Sequence, residues 1–234
     1  MRQIVLDTET TGLSIAQGHR IIEIGCIELV NRRLTDQELH FFINPDRDID
    51  AGAEAIHGIT RADLENKPRF EEIGREFLDF IKDAELIIHN ASFDVGFLDH
   101  ELKLMALEKC NIEDYATVLD TLLLARKMHP GQRNSLDALC KRYQVDASKR
   151  HIHGALIDSE LLANVYLAMT GGQTAMLLDE EISDETKYDP KSTIPLQKSI
   201  ISLKVTKPDN QEINAHNEIL KKIRKSSACI WDFD

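Results

Sequence analysis

A chain of 234 residues, 42% hydrophobic and 29% charged, has the size and composition of one sizeable globular domain with an appendage. Its net charge of −12 excludes a protein that grips nucleic acid through a broad basic face, and leaves room for an enzyme that handles nucleic acid locally through metal ions and relies on a partner for delivery. No apolar run reaches membrane-spanning length, the start carries no signal-peptide pattern, and four scattered cysteines without a CxxC pair are expected to be reduced thiols in a cytoplasmic protein.

Residues 2–10 read as a first strand. "IIEIGCIELV" (21–30) and "ELHFFINP" (38–45) read as two more, joined through the polar turn "NRRLTD" in an antiparallel meander. "AGAEAIHGIT" reads as a loop. Over 69–83, Phe70, Ile73, Phe77, Leu78 and Ile81 form one stripe at helical spacing. A short strand (84–90), a helix (94–107), a strand (116–121) and helical segments around "LLLARKM" and "NSLDALCKRYQ" follow. A long helix is expected over 155–169, with Gly171 and Gly172 as its stop signal. Strands first as a meander, then alternating with helices, predict an α/β fold: a mixed sheet flanked by helices, with a flexible C-terminal tail.

Beyond Gly172 the composition changes. Residues 179–189 hold six acids and one lysine, followed by Pro190 and Pro195, as in a self-repelling linker. Residues 190–234 reverse sign, with eight lysines and arginines against five acids. They include a candidate strand ("IISLKVT") and a candidate amphipathic helix ("EINAHNEILKKIRK"). The expected organisation is a main domain over 1–172, a short motif at 173–178, a linker at 179–199 and a tail at 200–234.

Four acids stand out. Asp7 and Glu9 sit two apart on the first strand, so they project from one face, opposite Ile4, Leu6 and Thr8. Alone, this is as well explained by an exposed strand end. Asp94 opens a helix, where the dipole favours it and where Ser92 or Asp94 would serve as cap, yet Phe97 and Leu98 turn it towards the buried side. Asp158 shares its helical stripe with Leu161, Leu162 and Val165, so it needs a cation or a proton; a salt bridge from elsewhere is the plainer alternative. His153 stands five residues earlier, just ahead of that helix. Four carboxylates that one sheet brings together suit a pair of hard divalent cations, which activate water on a phosphodiester, and a nearby imidazole suits the proton.

The stretches "DTETTG", "HNASFDVGFL" and "HGALIDSE" resemble the three motifs of the DEDD superfamily of 3′→5′ exonucleases, and the His-x4-Asp spacing matches its histidine branch. "NRRLTD", "ARKMHPGQRNSLDALC" and "VYLAMTGGQT" extend the resemblance to the proofreading-subunit family of bacterial DNA polymerase III, densely over 1–176 and more thinly in the tail. The resemblance implies a ribonuclease-H-like fold and two cations, Mg²⁺ or Mn²⁺. By motif position, Asp7, Glu9 and Asp158 would hold the first, Asp7 and Asp94 the second, and His153 would be the general base. Thr10 and His57 match positions that contact the terminal nucleotide, together with Asp7, Glu9 and Asp158. His89 and Asn90 would line the site. Gly52 departs from the family's usual Glu, whose contact to the terminal 3′-hydroxyl is then missing or supplied by Glu54. Asp120 is read as a helix cap rather than a fifth ligand.

"QTAMLL" resembles a sliding-clamp-binding peptide through Gln173, Met176 and Leu178, with a helix end as the plain alternative. Trp231, the only tryptophan, lies near the terminus and suggests a docking anchor. The resemblance implies the catalytic (alpha) subunit of the polymerase as its partner, a frayed or single-stranded 3′ DNA end as substrate, and a small theta-like accessory subunit. The rival readings are an RNA-trimming exonuclease of the same chemistry and a non-catalytic structural subunit.

Overall fold

The computed structural model describes residues 1–148, 153–171 and 208–226. They fall into two units, Met1–Leu178 and Asp179–Asp234. The first unit is built on a five-stranded sheet of order β3-β2-β1-β4-β5. Strand β1 (Arg2–Thr10) pairs antiparallel with β2 (Ile21–Val30), which pairs antiparallel with the edge strand β3 (Arg33–Phe42). On its other side β1 pairs parallel with β4 (Glu85–Ile88), and β4 pairs parallel with β5 (Thr117–Asp120). The mixed α/β sheet expected from the sequence is therefore present.

The β2–β3 turn is tighter than the sequence suggests. Asn31 and Arg32 both take positive φ (49° and 63°), the backbone of a two-residue hairpin turn. Strand β3 consequently starts at Arg33, and most of "NRRLTD" is strand. An exposed edge strand tolerates those polar side chains. The expected loop at 51–60 is also a correction. It holds helix α1 (Ala51–His57), ended by Gly58 at φ 69°, and is followed by the single turn α2 (Arg61–Leu64), whose Thr60 and Asp63 form a capping box.

Two apolar layers cover the sheet. Helices α3 (Phe70–Ile81) and α4 (Ala91–Leu104) belong to the layer of Ile4 and Leu6, in which Phe70, Phe77 and Phe97 are fully buried. All five residues of the expected α3 stripe are buried. At roughly 1.5–3 kcal/mol per large apolar side chain, that stripe outweighs the weak propensity of Gly74 within it. Helices α5 (Thr121–Met128), α6 (Leu136–Tyr143) and α7 (Ala155–Thr170) belong to the layer that takes Val5, Leu29 and Ile87. Alternate residues of β1 thus serve opposite layers.

Helix α7 meets the sheet at close quarters. A side-chain carbon added to Gly25 of β2 would lie 2.3 Å from the Leu156 nitrogen, so only glycine fits there. The Ser159 hydroxyl donates to the Gly25 carbonyl at 2.8 Å. At the other end Gly171 keeps φ at −89°, not the left-handed value expected of a stop signal. Its missing side chain matters for space instead, since a carbon there would lie 2.5 Å from the Leu167 carbonyl oxygen.

In the second unit, α8 (Asn210–Ser226) is the expected amphipathic helix. Asp209 caps it, accepting from the Gln211 and Glu212 amides at 2.8 Å. The candidate strand at 200–206, the clamp-like residues Gln173, Met176 and Leu178, and Trp231 lie outside the described residues.

Candidate active site

The carboxyl end of β1 is where the two layers meet. Asp7 and Glu9 come from the strand, Asp94 from the first turn of α4, and Asp158 from the first turn of α7. With His153 they line one cavity of about 220 Å³, shared with Thr8, His89, Asn90, Phe93 and Leu136. Ligand atoms of Glu9, His153 and Asp158 lie within 4.8 Å of one another. The sequence places Asp7 and Glu9 opposite Thr8. The structure adds the use of that opposition: Thr8 fixes Asp94 from one layer while Glu9 meets Asp158 from the other.

Asp94 is 3% exposed and accepts from the Thr8 amide (3.1 Å) and the Thr8 hydroxyl (2.7 Å). Burial pushes its carboxyl up to about 7 against those bonds, which favour the charged form. Asp94 is not the helix cap. The cap position is Asn90, in the left-handed region at φ 66° and without a side-chain bond, and the Ala91 amide donates instead to Asp120 of β5 at 3.1 Å. The other oxygen of Asp120 accepts from the Leu122 and Leu123 amides at 2.8 and 3.1 Å. Asp120 therefore satisfies two helix starts at once and does not line the cavity.

Asp158 is 3% exposed, with Oδ2 placed 3.1 Å from His153 Nδ1. The His153 ring is 44% exposed, beside the buried carboxylates. Its amide donates to the Ile56 carbonyl of α1 at 3.3 Å. Two residues on, the Ala155 amide donates to Glu23 of β2 at 3.1 Å, and His40 of β3 holds the second Glu23 oxygen at 2.7 Å.

A groove of about 580 Å³ adjoins this cavity and shares Thr8, Glu9 and Phe93 with it. Thr10 and His57 line it, with the exposed side chains of Leu13 and Ile56. Thr10 is buried, and its hydroxyl donates to the Gly12 carbonyl at 2.8 Å. His57 accepts from the Ile59 amide at Nδ1 (3.0 Å), which assigns its proton to Nε2. Among the described residues that buried Nε2 has no partner in good hydrogen-bond geometry; burial lowers the ring's pKa, against the Glu23 carboxylate and the Thr10 main chain, which favour the charged form. An unsatisfied buried donor costs about 1–3 kcal/mol until a ligand supplies an acceptor. Gly52 also lines the groove; Glu54 lines a separate hollow with Ala51, Ala55 and Gly58. His89 is tied to the Thr121 hydroxyl (3.0 Å), and burial lowers its pKa.

The donor chemistry fits a divalent cation. Carboxylate oxygens of Glu9 and Asp158 converge with an imidazole nitrogen of His153, Asp94 and Asp158 are buried, and a buried carboxylate is stable as an anion only with positive charge nearby. Sequence reasoning missed Glu23, Thr8 and Phe93. The first was visible as an acid inside an apolar strand, "IIEIGCIELV", which is the signal that singled out the other acids.

A five-stranded mixed sheet with layers on both faces and an acidic cleft at the end of β1 defines a nuclease of the ribonuclease-H-like class. The family model described as "Exonuclease" matches residues 4–166, and the chain belongs to that family. It is 48% identical over 246 residues to DNA polymerase III subunit epsilon of Haemophilus influenzae, covering 99% of this chain and 94% of that protein. It is 46% identical over 235 residues to the Escherichia coli protein of the same name, covering 98% and 97%. Among solved structures it is similar to exonuclease X in complex with 5′-overhanging duplex DNA, with TM-score 0.56 and 26% identity over 72% of this chain and 91% of that one.

Proposed function

We infer that this chain is the 3′→5′ proofreading exonuclease of a replicative DNA polymerase, removing mispaired nucleotides from the primer terminus as nucleoside 5′-monophosphates. One observation carries the reading: Asp7, Glu9, Asp94, Asp158 and His153 line a single cleft, beside a groove with room for a nucleotide. The names of the relatives agree with it over nearly the whole chain.

Asp7, Glu9 and Asp158 would hold one divalent cation, and Asp7 with Asp94 a second, Mg²⁺ or Mn²⁺. When bound, the pair supplies an activated water and neutralises charge at the departing 3′ oxygen. His153 accepts the proton of the attacking water at Nε2, while the Asp158 carboxylate accepts from Nδ1–H and holds the ring in the matching tautomer. Thr10 and His57 contact the terminal nucleotide, and the Nε2–H of His57 finds its acceptor there. Leu13, Ile56 and Phe93 give the groove apolar surface on which any base can stack, which suits removal without regard to base. A mismatched end enters more readily because its unpairing is already done.

An acidic domain binds DNA weakly on its own. Tethering to the polymerase compensates by raising the effective concentration of the primer end. In this reading residues 200–234 dock on the catalytic (alpha) subunit with Trp231 as anchor, 179–199 act as the tether, and Gln173, Met176 and Leu178 reach the sliding clamp. A small theta-like accessory subunit joins the assembly, which works in the cytoplasm. The test is digestion of 3′-labelled single-stranded DNA with Mn²⁺, beside a matched RNA. Wild type should release mononucleotides and Asp7→Ala should not; equal digestion by the two proteins overturns the assignment.

A further inference from the structure

The geometry points to Glu23 as a positioning residue for the general base, a role that rests on the assignment of His153 above. Glu23 belongs to β2, faces Glu9 across the β1–β2 pair, and is buried. It lines neither the 220 Å³ cavity nor the 580 Å³ groove, so it does not touch substrate there. Its Oε2 accepts from the Ala155 amide at 3.1 Å, two residues beyond His153. That amide belongs to the first turn of α7, where the helix has no partner of its own to offer.

Contacts away from the sheet also hold the segment that carries His153. The His153 amide donates to Ile56 in α1, at 3.3 Å. The ring itself meets Asp158 at 3.1 Å. Strand β2 holds its far end: Gly25 lets the Ala155–Leu156 peptide into contact, and Glu23 holds the Ala155 amide. Both lie on the same face of β2, two residues apart. His40 holds the outer oxygen of Glu23 at 2.7 Å, so the carboxylate cannot swing away.

A carboxylate at this helix start is favoured by the dipole, and that alone would make Glu23 a structural anchor. The distinction lies in what its loss does. A structural anchor lowers stability, cation affinity and turnover together. A positioning residue for His153 lowers turnover selectively, because a displacement of about 1 Å of a catalytic group costs on the order of a hundred-fold.

The experiment uses the full chain with Mn²⁺ and single-stranded DNA. Glu23→Met keeps length and buried volume but loses the acceptor. Glu23→Gln keeps an acceptor for the Ala155 amide and a hydrogen-bonding group for His40. His153→Ala is the reference. The expected result is a fall in kcat of about thirty-fold or more for Glu23→Met, with KM and directly titrated Mn²⁺ affinity within about three-fold of wild type. Glu23→Gln should recover most of that loss. A Glu23→Met enzyme with wild-type kcat overturns the proposal, as does joint loss of kcat and Mn²⁺ affinity. If Glu23→Met does not fold, a Glu23→Gln enzyme that folds yet loses more than about ten-fold in kcat overturns it, and one that keeps kcat supports it. Full turnover by His153→Ala would instead sink the assignment of the base, whatever Glu23 does.

Discussion

The His153 ring and the Asp158 carboxylate face each other at 3.1 Å, five residues apart in the chain and bracketing the start of α7. In the proposed reading, proton acceptor and cation ligand are thereby set by one helix start. His153→Ala should lower kcat by about 10²–10⁴ and leave Mn²⁺ binding in place, as read by single-turnover cleavage beside a metal titration. Loss of metal binding in that variant would mean that the imidazole is a ligand and not a base.

Asp94 gives a pH dependence with a definite sign. Burial raises its carboxyl from the ordinary value of 3.8 to about 7 in the metal-free protein. The folded state therefore binds a proton that the unfolded state has released across this interval. The contribution to stability is full below about pH 4 and is lost as pH rises through 7. Metal-free protein should melt lower at pH 8 than at pH 5.5 on this account, and Asp94→Asn should flatten that difference. Added Mn²⁺ should restore most stability at pH 8, where the anion is the form that binds. A metal-free melting temperature that rises from pH 5.5 to 8 in wild type but not in Asp94→Asn would contradict the shift.

Arg20 and Glu101 form a two-pronged ion pair at 2.7 and 2.6 Å, with Glu101 1% exposed and also accepting from the Ile21 amide. Arg20→Ala strands a buried carboxylate and should cost about 3–5 kcal/mol in urea unfolding. Replacing both partners by apolar residues should recover part of this loss.

Gly25→Ala should cost about 2–4 kcal/mol, because the added carbon meets main-chain atoms of Ala155 and Leu156 that cannot move aside. It should also cut turnover, since that peptide follows His153. An alanine enzyme with unchanged melting and turnover would show that α7 yields here.

Asp120→Ala separates a cap from a ligand. It removes acceptors from the Ala91, Leu122 and Leu123 amides, so about 1–2 kcal/mol of stability should go. Mn²⁺ affinity should stay within about two-fold of wild type, because Asp120 lines no part of the cleft.

Much of this was legible beforehand. The α3 stripe and the β2 limits followed from periodicity, since long apolar patterns dominate local preference. Asp158 declared itself because an acid in a leucine stripe is costly. Helix α1 was hidden: its seven residues present one buried side chain, His57, and so no stripe. The two-residue hairpin was hidden too, because neither Asn31 nor Arg32 is a glycine, though Asn tolerates the left-handed region. The tie between Asp120 and the Ala91 amide spans 29 positions and has no local trace. Glu23 differs from these, because its oddity was present in the sequence.

The acids of the cleft are divided between the two layers, Asp94 arriving with one and Asp158 with the other. A chain that has consolidated only half of its interior possesses at most part of the catalytic set. In the proposed reading, the full set of acids is therefore assembled only when both hydrophobic halves have closed on the central strand.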